Sequence, residues 1–106
     1  MDTLKITAEN VEQYRNTEIE FDGHIEIAAN LGWFAAICIT AKGWIVALPG
    51  SGIEAGLGIE AGWGIKAGWG IKAGEGIEAG LGIEAGEGIK AGWGIKAGLG
   101  IEAGEG

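Results

Sequence analysis

The sequence predicts an all-β fold, a β-solenoid of hexapeptide repeats. From Ile53 onward the chain consists of nine uninterrupted hexads of the form Ile-(Glu/Lys)-Ala-Gly-x-Gly, and 23 of its 106 residues are Gly. In each hexad Ile and Ala flank a charged residue, which is the alternation of inward and outward side chains along a strand. Short strands joined by turns of constant length are typical of solenoids, whose rungs stack over a continuous core.

The glycine pattern excludes two other repetitive folds. Each Gly inside an α-helix costs about 0.5–1 kcal/mol relative to Ala, so two per hexad disfavour a helix. Collagen needs Gly at every third residue, whereas here the gaps alternate between two and four. We therefore expect Gly-x-Gly to turn the chain between strands.

Residues 1–18 are predicted to form an N-terminal cap with a short helix. Thr7 can serve as N-cap for a helix over residues 8–15, which places Val11 and Tyr14 on one face. A cap of this kind covers the unpaired backbone groups of a first rung.

Residues 19–52 are predicted to form irregular rungs, and residues 53–106 regular ones, in a single domain. Isoleucine and leucine recur at intervals of six from Ile19, with a two-residue shift after Ile37. The segment LPGSG at 48–52 contains the only Pro and adds two residues to a hexad, which indicates a turn or bulge where the two parts meet.

The outward charges favour a rung of 12 residues, that is, a flat solenoid of two sheets. Like charges stacked on adjacent rungs repel each other. With two hexads in each rung, all stacked pairs are opposite in sign, whereas with three hexads half of them are alike. The alternative is an 18-residue left-handed β-helix. The predicted charge ladders are Glu54, Lys66, Glu78, Lys90 and Glu102 on one face and Glu60, Lys72, Glu84 and Lys96 on the other.

A 12-residue rung also predicts an exposed apolar edge, formed by Leu57, Trp69, Leu81 and Trp93. The x position of the hexad also accepts Glu, so it faces solvent. Trp is the residue type most enriched in binding hot spots, which makes this edge a candidate binding surface. The alternative is that large side chains at the turns shield bare glycines.

The last hexad has no segment that resembles a cap. We expect either end-to-end pairing through this open rung, most simply as a two-fold homodimer involving Lys96, Ile101 and Glu102, or a chain shorter than the natural protein.

Catalytic chemistry is expected to be absent. The hexads contain no Ser, Thr, Asn, Gln, Asp, His, Cys or Tyr, so a catalytic group could come only from residues 1–52. His24 near Asp22 is a candidate oriented base, but a solvated His in a turn is far commoner. Cys38 is either a small buried residue or a free thiol. We predict no metal site and no cofactor.

Charge and hydropathy restrict the classes of partner and the cellular locations that we expect for this chain. The net charge of −8 disfavours a protein that binds nucleic-acid phosphates directly. The first ten residues lack the pattern of a signal peptide, and the longest apolar run, at 31–39, is too short to span a bilayer. These features predict a cytoplasmic protein that does not enter a membrane.

Two segments carry a resemblance to known proteins. The repeats GIEAGWGIKAGWG at 58–70, together with EIEFDGHIEIAANLGW at 18–33, resemble small Gly-rich repeat proteins of phages and gut bacteria. This resemblance implies an anti-CRISPR-like inhibitor that docks on a protein of the host defence system. A structural, self-associating solenoid and an enzyme that uses His24 are the alternatives.

Overall fold

The computed structural model describes residues 1–104, which form a parallel β-solenoid of about five turns with almost no helix. The predicted all-β solenoid is therefore confirmed. One helical turn, α1 (Val11–Tyr14), is present, and the described residues include no helix long and apolar enough to cross a membrane. The strands are β1 (Asp2–Ile6), β2 (Glu18–Phe21), β3 (Gly23–Ile27), β4 (Gly32–Ala36), β5 (Cys38–Ala41), β6 (Ile45–Ala47), β7 (Ser51–Ala55), β8 (Ile59–Ala61), β9 (Ile65–Ala67), β10 (Ile71–Ala73), β11 (Gly76–Ala79), β12 (Gly82–Ala85), β13 (Ile89–Ala91), β14 (Gly94–Ala97) and β15 (Gly100–Ala103).

The strands stack into three parallel sheets that form the sides of the coil. One sheet has the order β1-β3-β6-β9-β12-β15, the second β2-β5-β8-β11-β14, and the third β4-β7-β10-β13. From β2 onward the chain passes to another sheet with each strand, and every third strand lies beside its predecessor in the same sheet. Three strands therefore make one rung.

The core consists of the Ile and Ala side chains of the strands. In β7, Ile53 is 0% and Ala55 2% exposed, while Glu54 between them points outward. The same alternation recurs from β8 to β12, whereas the Ile and Ala of β13 and β14 are half-buried and those of β15 are exposed. Removing one Ile side chain from water contributes about 1.5–3 kcal/mol, so the stacked Ile columns supply most of the apolar stabilisation of the repeat.

The rung of the repeat contains 18 residues, so the predicted 12-residue rung is wrong. Ile71 pairs in register with Ile53 on one side and with Ile89 on the other, an offset of three hexads. A two-hexad rung would need the chain to reverse at every Gly-x-Gly, and tight reversals use left-handed φ angles. No glycine described after position 52 has a positive φ. Each Gly-x-Gly instead bends the chain from one side of the coil to the next.

The N-terminal part differs from its prediction in two respects. The helix α1 is one turn long, and the residue at its N-cap position is Asn10 rather than Thr7. Strand β1, which the hexad spacing does not reveal, pairs in parallel with β3 and aligns Leu4 with Ile25. Residues 2–6 thus extend one sheet, and Ile6 and Val11 belong to the core.

Of the turn predicted at residues 48–52, residues 48–50 connect β6 to β7, and Ser51, the first residue of β7, anchors it. Gly50 has a φ of 88°, in the left-handed region that favours glycine. The Ser51 side chain is fully buried, and its Oγ donates a hydrogen bond to the carbonyl oxygen of Ala28 at 2.5 Å. The same Oγ accepts a hydrogen bond from the backbone N–H of Leu31 at 3.0 Å. This one hydroxyl joins two adjacent rungs at the same corner of the coil.

Candidate functional site

The x residues of the hexads stand at three corners of the coil, where backbone hydrogen bonds connect successive rungs. At one corner, for example, the N–H of Leu81 donates to the carbonyl oxygen of Trp63 at 2.5 Å, and the N–H of Leu99 donates to the carbonyl oxygen of Leu81 at 2.7 Å. The other two corners are connected in the same way. Corner A comprises Leu57, Glu75 and Trp93, corner B comprises Trp63, Leu81 and Leu99, and corner C comprises Trp69 and Glu87.

The predicted binding edge does not exist as one stripe. Leu57 and Trp93 share corner A but are separated there by Glu75, while Leu81 stands at corner B and Trp69 at corner C. The cause is the rung size, because residues 12 apart fall on different corners when a rung contains 18. Aligning the x residues at a spacing of 18 would have grouped Trp63 with Leu81 and Leu99 from the sequence alone.

Corner B is the one corner whose three x residues are all apolar. Trp63 is 41%, Leu81 40% and Leu99 82% exposed, so the stripe faces solvent over three successive rungs. The ring of His24 packs against Trp63 at a centroid distance of 5.0 Å and an interplanar angle of 66°. The stripe therefore begins with Trp63, which His24 holds in place, and ends with Leu99, which is largely exposed.

The charged residues form three stacks that differ from the predicted ladders. Among them, Lys66 and Glu84 approach within 4.0 Å. Three stacked pairs are opposite in sign and three are alike, as an 18-residue rung requires. The stacks are Glu54, Lys72 and Lys90 on one side of the coil, Glu60, Glu78 and Lys96 on the second, and Lys66, Glu84 and Glu102 on the third.

Corner B lies between the second and third of these stacks and is therefore bordered mainly by carboxylates. The strands before this corner carry Glu60 and Glu78, and the strands after it carry Glu84 and Glu102. The lysines of the two bordering stacks are Lys66 and Lys96. The apolar stripe thus has an acidic border on both sides.

Trp69 fits the shielding alternative rather than a free binding surface. Its ring packs against that of Trp33 at a centroid distance of 6.1 Å and an angle of 73°. A Cβ built on Gly32 would lie 3.9 Å from the Trp69 ring, so this side chain leans over the same corner of an earlier rung. It is less exposed than the x residues of corner B.

His24 is engaged with the backbone instead of with Asp22. Its Nδ1 accepts a hydrogen bond from the N–H of Trp44 at 2.9 Å. The Asp22 carboxylate lies 3.6 Å from Nζ of Lys42. The pairing of Asp22 with His24 that the sequence suggested is therefore not formed.

The remaining candidate groups take up scattered positions. Cys38 has a free thiol and is half-buried at the start of β5. Within residues 1–104, no group of three or more His, Cys, Asp or Glu side chains is placed to hold a metal ion.

The residues predicted for self-association lie on the last described rung. Lys96 is in β14, and Ile101 and Glu102 are in β15. Ile101 is 47% exposed, whereas Ile83, one rung earlier in the same sheet, is 2% exposed. Within the described residues, β13, β14 and β15 each have a neighbouring strand on one side.

Comparison of the chain with models of protein families, with curated proteins and with solved structures finds no match.

Proposed function

We propose that the chain is a non-enzymatic protein-interaction module and that corner B is its contact surface. The observation that carries this proposal is the stack of Trp63, Leu81 and Leu99, which exposes three large apolar side chains in a row. Water contact with such a stripe is unfavourable, and an apolar cleft on a partner would remove it. Trp63 suits the role of anchor because His24 already restricts its ring, which lowers the entropy lost on binding.

The partner is a protein with an apolar cleft and a basic rim. Four glutamates and two lysines border corner B, and the whole chain carries a net charge of −8. Complementary charge accelerates encounter and orients the two surfaces. A cleft lined with Lys and Arg at its edges would meet both the stripe and its border.

The partner we propose is a defence protein of a bacterial host, met in the host cytoplasm. Support for this step comes from the resemblance of the repeats to small phage proteins, which implies an inhibitor of the anti-CRISPR kind.

The proposal is tested in bacterial strains that each carry one active defence system. Expression of the chain should restore plaque formation by a phage in one of these strains, and the effector of that system should bind the purified chain. The double variant Trp63→Ser, Leu99→Ser should weaken binding by about 30-fold or more, the loss that corresponds to removal of a hot spot.

The matched control is Leu57→Ser, which removes an apolar side chain of similar exposure, 46%, at corner A. It should bind the effector as the unchanged chain does. If no strain regains plaques, the defence target is wrong. If the double variant still binds, corner B is not the contact surface.

End-to-end self-association is the second candidate function, favoured by the exposed Ile101 on a rung that has neighbours on one side. A two-fold axis through β13 would set β14 of one copy beside β15 of the other, in antiparallel pairing. Lys96 of each copy would then lie opposite Glu102 of the other, and Lys90 opposite Lys90, which gives two attractive contacts and one repulsive contact. An axis through β15 would instead oppose lysines to lysines.

Sedimentation equilibrium tests this candidate. The chain should sediment as a dimer, Lys96→Glu should shift it towards monomer, and the double variant Lys96→Glu, Glu102→Lys should restore the dimer. A monomer at every concentration would contradict self-association, and a dimer that Lys96→Glu leaves intact would contradict the axis through β13.

A further inference from the structure

The residue that precedes each inward Ile or Phe forms a column along the outside of the coil, and there are three such columns. In the repeat these residues are all glycines, and the irregular rung just before it carries a larger side chain in each column. Still earlier, Glu18 is aligned with Cys38 and His24 with Trp44, so the glycine part of each column follows Cys38, Trp44 or Trp33. Column A is Cys38, Gly58, Gly76 and Gly94, column B is Trp44, Gly64, Gly82 and Gly100, and column C is Trp33, Gly52, Gly70 and Gly88.

An indole ring lies on one glycine of column B, Gly64, and on two of column C, Gly52 and Gly70. A Cβ built on Gly64 would lie 2.7 Å from Cη2 of Trp44, and one built on Gly52 would lie 2.7 Å from Cε3 of Trp33. Trp33 also reaches the next rung, where a Cβ on Gly70 would be 3.0 Å from its Cη2. A glycine column is therefore a flat floor that accepts an aromatic ring.

Column C also shows how a cation completes this arrangement. Nζ of Lys72 lies 4.7 Å from the centre of the Trp33 ring. Lys72 lies two residues after Gly70 and points to the same face of the sheet. The Trp33 ring, which covers Gly70, and the Lys72 ammonium group are therefore neighbours. An aromatic ring on the floor with a cation beside it is thus a combination that this fold already contains.

Column A has the same floor and no ring. Its residue on the irregular rung before Gly58 is Cys38, which is too small to cover Gly58, and the nearest atom to a Cβ built on Gly58 would be the carbonyl oxygen of Gly76 at 3.3 Å. The groove above it has a volume of about 510 Å³ and is walled by Trp93 on one side and by Glu60, Glu78 and Lys96 on the other. This volume falls in the range of roughly 300–1,000 Å³ that is typical of ligand sites.

In the charged wall of column A, Lys96 is aligned with Glu78, whereas Glu60 is aligned with Thr40 and Glu78 and has no cation on a neighbouring strand. Glu60 and Glu78 are aligned on adjacent strands, about 4.8 Å apart, and repel each other. Within residues 1–104 neither carboxylate forms an ion pair. A positive group supplied from outside would relieve this repulsion.

We propose that column A binds an aromatic side chain of the partner protein, preferably Trp, together with a Lys or Arg that follows it by two residues in the partner chain. Gly58 and Glu60 are two residues apart, and an extended peptide presents its first and third side chains on one face at the same spacing. The ring lies on Gly58 and Gly76, and the cation pairs with Glu60 and Glu78. This inference rests on the proposed function, since it names what the interaction module recognises.

The probe is the peptide acetyl-Trp-Ala-Arg-amide, added to the isolated chain and followed by NMR of backbone amides. It should bind with a dissociation constant of roughly 1 mM, the strength expected of two contacts made by a short peptide. Shifts should concentrate at Gly58 and Gly76 and be small at Gly52 and Gly64. Acetyl-Trp-Ala-Glu-amide should bind about two- to fivefold more weakly, and acetyl-Ala-Ala-Arg-amide should not produce these shifts.

Two variants separate the floor from the charged wall. Cys38→Trp should place an indole on column A, as Trp44 does on column B, and abolish peptide binding. The double variant Glu60→Gln, Glu78→Gln leaves the floor intact and should remove the preference for Arg over Glu in the peptide. Its matched control is Glu54→Gln with Glu87→Gln, which removes the same charge elsewhere and should change nothing.

The inference is overturned if the Trp peptide shifts all three columns alike, or if Cys38→Trp folds and still binds it. An absence of any shift at 10-fold the expected dissociation constant, about 10 mM, also overturns it. These results would leave the proposed function standing, because corner B is tested with the partner and column A with peptides alone.

Discussion

The backbone N–H of Trp44 donates a hydrogen bond to Nδ1 of His24 across two adjacent rungs, at 2.9 Å. The same imidazole packs edge-on against Trp63, at 5.0 Å between ring centres. His24 therefore fixes the residue whose indole covers Gly64 of column B and also supports the first residue of the corner B stripe. A side chain that the sequence offers as a catalytic base has a structural role at the candidate binding surface.

Replacement of His24 by Ala should lower the free energy of unfolding by about 1–3 kcal/mol, because the partly buried N–H of Trp44 would lose its acceptor. Urea unfolding measures the change. Asp22→Ala is the control, since its ion pair with Lys42 is exposed and is expected to contribute about 0–1 kcal/mol. Equal losses in the two variants would show that the imidazole does not hold this corner.

The two glycines that flank Leu81 should respond differently to Ala. A Cβ on Gly80 would collide with the carbonyl oxygen of Gly62 one rung below, whereas a Cβ on Gly82 would meet its nearest atom, the carbonyl oxygen of Gly100, at an ordinary 3.4 Å. We expect Gly80→Ala to cost about 1–3 kcal/mol through overpacking. Gly82→Ala should be neutral or gain up to about 1 kcal/mol, because Ala has less freedom than Gly in the unfolded chain. Thermal unfolding of both variants decides; similar melting temperatures would contradict the close approach.

The 18-residue register predicts which charges are coupled. Lys66 and Glu84 lie 4.0 Å apart, so a double-mutant cycle with Lys66→Ala and Glu84→Ala should give a coupling of about 0.2–1 kcal/mol. The 12-residue register would instead couple Lys66 with Glu78. A cycle on that second pair should give a coupling close to zero, and a larger coupling there than in the first cycle would refute the observed register.

Ile37 and Ile39 flank Cys38 and differ sharply in burial. Ile37 is 39% exposed, whereas Ile39 is fully buried. Ile39→Ala should therefore cost about 2–5 kcal/mol, the range for a cavity in a packed core. The loss in Ile37→Ala should stay below that range. Denaturant titration of the two variants provides the measurement, and a reversed order would place the wrong residue in the core.

The strand pattern could be predicted from the sequence because each hexad repeats it. Ile53 and Ala55 point inward and Glu54 outward, as the period of two requires. The corner assignment could not be predicted from charge. Each exposed ion pair contributes about 0–1 kcal/mol, and three hexads per rung tolerate like charges in stacks such as Glu60 and Glu78. The backbone conformation at the corners determines the rung size, and the φ angles of the corner glycines cannot be predicted from the repeat sequence.

The candidate site was harder still to predict, because it depends on contacts between regular and irregular rungs. Phe34 pairs with Ile53 at an offset of 19 residues, and Ile39 pairs with Ile59 at an offset of 20. Neither offset is a multiple of six, so the hexad spacing gives no sign that Trp33 and Trp44 lie over glycines of the next rung. The difference between columns A, B and C follows from these offsets and from the single small residue Cys38.

The corner hydrogen bonds give the repeat a counting rule. Excision of one hexad, for instance residues 71–76, would bring Trp93 above Trp69 and Leu81 above Leu57, while the inward Ile and Ala would find equivalent neighbours. Only the removal or insertion of hexads in threes returns every later side chain to its original corner. The remainder after division of the number of hexads by three therefore determines which side chains share a corner of the surface. The packing of Ile and Ala in the interior does not depend on that number.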